Sequence, residues 1–127
     1  MQHSPQRLAE LRFPEVAGRL TDRSILVQPL GAIEQHGPHL PSTPTRWWRP
    51  PRERPPAASA AGIDAWLLPT LSYTKSNEHA WAPGTVWLSA ETLLAVLRDL
   101  GRCVAMTPTR RLVFLNAHGG TRRCSRS

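Results

Sequence analysis

The fold is decided by one stretch of the chain, ILVQPLGAIEQHGPHLP, residues 25–41. The stretch begins as a nearly continuous apolar run, which is typical of a strand buried on both faces of a parallel sheet. It then turns at glycine and proline and presents one carboxylate and two imidazoles in a short space, Glu34, His36 and His39. Carboxylate and imidazole are ligands that suit Zn²⁺ or Mn²⁺. A strand that ends in metal-type ligands is therefore the first prediction.

A second apolar run ends in the same way. Residues 112–115 (LVFL) are followed by residues 116–120 (NAHGG), which contain His118. In a parallel sheet, sites form beyond the carboxyl ends of the strands, so the two turns are expected to share one metal site. The alternative is a pair of polar strand ends whose histidines are simply hydrogen-bonded. The spacing alone leaves both interpretations open.

The remaining elements alternate between strand and helix. Pro14 to Leu20 fits a short helix with proline at its first position. Ser89 has the position of an N-cap, and the helical apolar face after it continues to about Val104. Strands are predicted at residues 24–30, 65–69, 85–88 (brief) and 111–115. This alternation predicts an α/β fold with a mostly parallel sheet.

Length and composition limit the class of protein. A chain of 127 residues is at most one ordinary domain. It has no run of about 18 apolar residues and no signal-peptide pattern at its start, so we expect a cytoplasmic protein without a membrane span. Its two cysteines, Cys103 and Cys124, form neither a disulfide framework nor a metal-type pair.

The net charge of +7 is concentrated in two short segments, residues 42–56 and 121–127. They carry seven of the sixteen basic residues, and nine basic and eight acidic residues remain outside them. Arginines alternate with tryptophans in residues 46–54 (RWWRPPRER), as in single-stranded nucleic-acid binders. The density of proline there is more typical of a disordered stretch, so nucleic-acid binding is the less favoured interpretation.

Three segments in order resemble the creatininase (creatinine amidohydrolase) family: residues 30–41 (LGAIEQHGPHLP), 78–85 (EHAWAPGT) and 116–120 (NAHGG). The resemblance implies a metal-dependent amidohydrolase with a three-layer α/β/α fold, commonly a homo-oligomer of six chains. The family includes creatinine hydrolases, formamide-type hydrolases and a peptidase that trims the mycofactocin precursor. The substrate, a small amide or a peptide, is left open.

The resemblance also implies roles for individual residues. Glu34, His36 and His118 match metal ligands of a site that holds one or two Zn²⁺ or Mn²⁺ ions, and His79 matches a substrate-side position at the mouth of the active site. Such an ion lowers the pKa of bound water from about 15.7 to about 7, and the resulting hydroxide attacks the amide carbonyl. His39 is expected to be a neighbouring loop histidine and not a ligand.

The chain also departs from the family pattern. Thr45 stands where the family has an acidic residue that bridges the metals, and Thr121 stands where it has an asparagine. The resemblance covers no counterpart of the second half of the family domain, so we expect that half to be missing. Inserting one nucleotide before each atypical segment, with suitable codons, restores the family residues, including an aspartate at position 45. We therefore expect a partial, truncated and frame-shifted domain over residues 1–127, atypical at 42–56 and 121–127, with impaired metal binding. A non-catalytic fragment or subunit that joins an intact paralogue is the alternative.

Overall fold

The computed structural model describes residues 6–42, 61–116 and 118, and within them the chain forms one four-stranded parallel sheet flanked by helices. The strands and helices, in chain order, are β1 (Gln6–Arg7), α1 (Phe13–Arg19), β2 (Ile25–Leu30), β3 (Ala65–Leu67), α2 (Ala90–Ala105) and β4 (Arg111–Asn116). Two 3-10 turns, Leu8–Glu10 and Asn77–His79, lie between them.

The sheet has the order β1-β3-β2-β4, and every pair of neighbouring strands is parallel. The central strand β2 pairs Leu26 with Trp66 on one side and with Leu112 on the other. The last residue of β2, Leu30, is opposite the last residue of β4, Asn116. The predicted α/β class with a parallel sheet is confirmed, and the two histidine turns leave the sheet at the same edge.

The core packs around Leu26 of β2 and its neighbour Trp66 of β3. Leu20, Leu26 and Trp66 are buried together, and Val16 of α1 and Val104 of α2 pack against them. Val16 and Leu20 are one helical turn apart, which explains why the short helix turns this side towards the sheet. Burial of this apolar surface is the main stabilising contribution that the described residues show.

Both predicted helices are present within a residue or two of their expected ends. At the start of α1, the backbone N–H of Arg12 donates to the Glu15 carboxylate at 3.0 Å. At the start of α2, the hydroxyl of Ser89 accepts a hydrogen bond from the backbone N–H of Thr92 at 3.1 Å. The predicted N-cap Ser89 is therefore confirmed, and it fixes where α2 begins.

One local prediction was wrong, and one short strand was missed. Residues 85–88 form no strand, because Val86 makes an isolated antiparallel bridge to Ile33 while Leu88 makes an isolated parallel bridge to Lys75. With a different partner at each bridge, no continuous ladder can form. The two-residue strand β1 was not predicted, because it is too short to show the alternation by which strands are recognised.

Several sequence predictions fall outside the described residues. They concern Thr45, the arginine and tryptophan segment at 46–54, Thr121 and the rest of the segment 121–127, and the atypical segment 42–56 apart from Ser42. Within the described ranges, neither helix is long and apolar enough to cross a membrane.

Candidate metal centre

The ends of β2 and β4 bring Glu34 and His118 together. Glu34 follows the last residue of β2 by four positions, and His118 follows Asn116, the last residue of β4, by two. The backbone N–H of His118 donates to the side-chain oxygen of Asn116 at 3.0 Å, which fixes the turn after the strand. Nε2 of His118 then lies 2.7 Å from Oε1 of Glu34.

The backbone on both sides of Glu34 is tied to the loop at residues 85–86. The carbonyl of Ile33 accepts a hydrogen bond from the backbone N–H of Val86 at 3.0 Å. The backbone N–H of Gln35 donates to the hydroxyl of Thr85 at 3.3 Å. Because both neighbours of Glu34 are held, the direction of its side chain is set by the backbone.

The turn before Thr85 requires glycine. Gly84 has φ +93°, a conformation that residues with a Cβ rarely adopt. A Cβ at this position would also lie 2.8 Å from Oγ of Ser42. The glycine therefore allows the loop to approach Ser42 closely.

Glu34 is buried, with 7 % of its surface exposed, and its Oε1 atom has no hydrogen-bond partner among the described residues. The 2.7 Å contact with His118 is close enough for an ion pair but does not have the geometry of a hydrogen bond. Burying a carboxylate oxygen without a hydrogen bond costs free energy, and a cation at this point would compensate for it. The orphaned oxygen is therefore a feature that fits a metal ligand.

Glu78 completes a group of three possible ligands. One ligand atom from each of Glu34, Glu78 and His118 lies within 4.8 Å of the others. Two carboxylates and one imidazole form a donor set that suits a divalent cation such as Zn²⁺ or Mn²⁺. We call these three residues the carboxylate–imidazole group.

Lys75 pairs with Glu78 of the carboxylate–imidazole group, with its Nζ 2.6 Å from Oε2 of Glu78. Burial raises the pKa of Glu78, but the hydrogen bond and charge of Lys75, together with the charge of His118, lower it by more. The pKa of Glu78 therefore lies below its ordinary value, and this carboxylate is ionised at neutral pH.

Of the other histidines singled out in the sequence, His79 has a contact with this group. Nε2 of His79 is 3.8 Å from Oε1 of Glu34, and the side chain is 39 % exposed. His36 is half-buried and does not belong to the group, and His39 is exposed. The backbone after Glu34 is not part of a regular strand, and it turns at Gly37, where φ is +80°.

Sequence reasoning gave Glu78 no role. It stands in the second family-like segment, next to His79 and three residues after Lys75, and this Lys-x-x-Glu-His pattern was the available signal. The pattern does not show which strand end the loop approaches. Only the tertiary contacts bring Glu78 to Glu34.

Comparison with known proteins places these segments in a family. The family sequence model described as creatinine amidohydrolase matches residues 9–126. The chain is 36 % identical over 126 residues to the mycofactocin precursor peptide peptidase of Mycolicibacterium smegmatis, covering 85 % of this chain and 47 % of that protein. It is 32 % identical over 122 residues to the creatinine amidohydrolase of Pseudomonas putida, covering 87 % and 44 %.

The solved structures agree with the sequence comparison. A crystal structure of creatinine amidohydrolase (creatininase) superposes with a TM-score of 0.72 at 26 % identity, over 96 % of this chain and 48 % of that one. Similar structures include a Zn-Zn form of a creatininase variant, with a TM-score of 0.70 at 27 % identity over 96 % and 48 % of the two chains. This chain spans about half the length of the curated relatives it matches. By the family match and the shared fold, the chain belongs to the creatininase family.

Proposed function

We propose that the protein hydrolyses a carbon–nitrogen amide bond with the help of a divalent metal ion held at Glu34 and His118. The observation that carries this proposal is the buried Oε1 of Glu34, which has no hydrogen-bond partner among the described residues and faces His118 at 2.7 Å. An imidazole and a buried carboxylate at adjacent ends of parallel strands are suited to hold such an ion. His36 is kept as a further ligand on the strength of the motif.

Zn²⁺ and Mn²⁺ are the proposed ions. The donor set favours them over softer metals, and creatininases of similar structure are described as Zn-Zn and Mn forms. When bound, such an ion polarises a carbonyl and lowers the pKa of a bound water to about 7. A second ion, as the family resemblance implies, stays a prediction for this chain.

The residues of the chain itself would position the substrate. His79 lies within 3.8 Å of Oε1 of Glu34 and is half-exposed, so it contacts both the interior of the site and the solvent. We assign it the substrate side of the site, where its ring can hydrogen-bond an amide group. Glu34 would hold the metal ion in a fixed position, since the backbones of its neighbours Ile33 and Gln35 are both hydrogen-bonded to the loop at residues 85–86.

A peptide is the favoured substrate class, and a small cyclic amide such as creatinine is the alternative. The chain is 36–43 % identical to peptidases that act on the mycofactocin precursor and 32 % identical to a creatinine amidohydrolase. The half-exposed position of His79 is compatible with a substrate that extends into solvent.

The experiment compares the wild-type chain with Glu34→Gln after loading with Zn²⁺ or Mn²⁺. Short peptides and creatinine are incubated with each protein, and products are identified by mass spectrometry. We expect peptide cleavage by the wild type and none by Glu34→Gln. Equal product formation by both proteins would contradict the proposal, while turnover of creatinine alone would favour the cyclic amide.

Homo-oligomeric assembly, a cytoplasmic location and association with an intact paralogue stay predictions. The chain spans about half the length of the curated relatives it matches. Light scattering after size-exclusion chromatography gives the assembly state. An inactive wild-type chain that co-purifies with a full-length family member would support the non-catalytic subunit instead.

A further inference from the structure

Glu78 is held close to Glu34 by a loop with defined contacts. It lies in the 3-10 turn Asn77–His79, where the backbone N–H of His79 donates to the carbonyl of Ser76 at 3.0 Å. The turn is preceded by Lys75, whose backbone forms an isolated bridge with Leu88. Glu78 therefore lies in a turn whose backbone is held by hydrogen bonds.

The same loop is attached directly to the segment that carries Glu34. The hydroxyl of Thr74, a fully buried residue, donates to the carbonyl of Gly31. The carbonyl of Thr74 in turn accepts a hydrogen bond from the backbone N–H of Leu88 at 2.9 Å. These bonds connect the loop before Glu78 to the turn before Glu34, which explains why the two carboxylates converge.

Two carboxylates that converge on an imidazole create a local excess of negative charge. Lys75 compensates part of it through Oε2 of Glu78, but the Oε1 atom of Glu34 is buried and has no hydrogen-bond partner among the described residues. Like charges held this close repel one another, and a divalent cation between them removes the repulsion. The charge arrangement thus fits a cation at the centre of the group.

We propose that Glu78 is also a ligand of the metal ion, so that Glu34, Glu78 and His118 hold one ion without an acidic residue at position 45. The inference rests on the proposed function, because it assumes the metal ion at Glu34 and His118. It changes the expectation of impaired binding, which rested on Thr45, a residue outside the described ranges. The carboxylate absent from position 45 is replaced by one from the loop.

The dimensions of the group are close to those of a bound ion. Ligand atoms of one tetrahedral zinc ion, with bonds of roughly 2.1 Å, lie about 3.4 Å apart. The ligand atoms here lie within 4.8 Å of one another, and those of Glu34 and His118 are 2.7 Å apart. Binding of an ion would therefore draw Glu78 inwards by about 1 Å and separate the other two atoms slightly. Glu78 can make this movement, since its side chain is 38 % exposed while that of Glu34 is nearly buried.

The competing explanation is that Glu78 only pairs with Lys75. A pair of this kind, three residues apart and partly exposed, contributes little to stability. In that case Glu78 could lose its charge without any effect on metal binding. The two explanations therefore differ in metal affinity and not in activity, and affinity can be measured without a substrate.

The test is isothermal titration of the metal-free full chain with MnCl₂ and, separately, ZnCl₂. Glu78→Gln is compared with Glu91→Gln, a control carboxylate in the first turn of α2 that does not belong to the group. We expect Glu78→Gln to weaken binding by at least about 10-fold, whereas Glu91→Gln binds as the wild type does. Glu78→His, which supplies another ligand atom, should recover Zn²⁺ binding, and a merely structural role would not produce this recovery.

The outcomes separate this inference from the proposed function. Unchanged affinity in Glu78→Gln, together with lost affinity in Glu34→Gln, would overturn the role of Glu78 and leave the metal centre intact. Absence of binding by the wild-type chain would overturn both. Circular dichroism of each variant checks that the fold is retained, and Glu78→Asp gives a second variant with the charge kept and the reach shortened by one methylene.

Discussion

The two strand ends and the loop at residues 71–88 supply the site in different ways. β2 and β4 pair through a continuous ladder from Ile25–Arg111 to Leu30–Asn116, and Glu34 and His118 follow directly from it. The loop that carries Glu78 is attached by isolated bridges and single hydrogen bonds. The ligands at the strand ends are held in place by the whole β2–β4 ladder, whereas the ligand on the loop is held by a few local contacts. Damage to the loop should therefore impair the site while the sheet remains.

The largest expected effect comes from a substitution in the core of the sheet, because both the strand ends and the loop are attached to it. Leu26 is fully buried at the centre of the sheet, between Trp66 and Leu112. Leu26→Ala removes packed apolar atoms and leaves a cavity, so we expect a loss of about 2–5 kcal/mol in the free energy of unfolding, measured in urea. Metal affinity should be lost together with the fold.

A matched control for this variant is Leu115→Ala in β4. Leu115 is 49 % exposed, and exposed substitutions of this kind usually change stability by less than about 0.5 kcal/mol. A cost for Leu115→Ala equal to that of Leu26→Ala would show that β4 is covered by further structure and that the assigned core is incomplete.

Gly84→Ala should damage the loop and spare the sheet. The methyl group would impose strain at φ +93° and meet Oγ of Ser42, so we expect a cost of about 1–3 kcal/mol. Because Thr85 and Val86 hold the backbone around Glu34, Mn²⁺ affinity measured by titration should fall, while circular dichroism of the sheet persists. Wild-type affinity for Mn²⁺ in this variant would show that the loop does not contribute to metal binding.

Thr74→Val tests the link between the loop and the β2 end with a smaller effect. Valine retains the shape of threonine but cannot donate to the carbonyl of Gly31, and the net value of such a hydrogen bond is about 1 kcal/mol. We expect this loss in urea unfolding and a weaker affinity for Mn²⁺. Thr74→Ser keeps the hydroxyl and should retain more of the affinity than valine does.

The smallest effect is expected at a glycine that no contact requires. Gly101 lies inside α2, and an added Cβ there meets no atom within 4 Å. Gly101→Ala should stabilise the protein by roughly 0.5–1 kcal/mol, because alanine favours the helix, and should leave metal affinity unchanged. A rise in the thermal midpoint with unchanged Mn²⁺ affinity is the result to look for, and a drop in affinity would connect α2 to the site.

The same contrast explains how much could be predicted from the sequence. The apolar run at residues 25–30 and the N-cap Ser89 are local signals, so β2 and the start of α2 were predicted within a residue. The meeting of Glu34 and His118 followed from parallel strands that end at one edge. Glu78, β1 and the two isolated bridges depend on which distant segments pair, and no local pattern carries that information.

The motif also identified the family from the sequence alone. Its implied ligand His36 does not belong to the carboxylate–imidazole group, and residues 31–37 form no regular strand. Residue spacing predicts side-chain direction only while the strand continues. The roles of His36 and His79 therefore stay predictions for mutagenesis.

The most direct test of Glu34 as a metal ligand through its buried Oε1 is a calorimetric titration of the metal-free chain and of Glu34→Gln with MnCl₂. Glutamine keeps the size of the side chain and removes its charge. Since loss of a residue that only supports a ligand already costs about 10- to 100-fold in affinity, loss of Glu34 should cost about 100-fold or more. One equivalent bound by the wild type and none detected with Glu34→Gln is the predicted result. Equal binding by both proteins would contradict the claim.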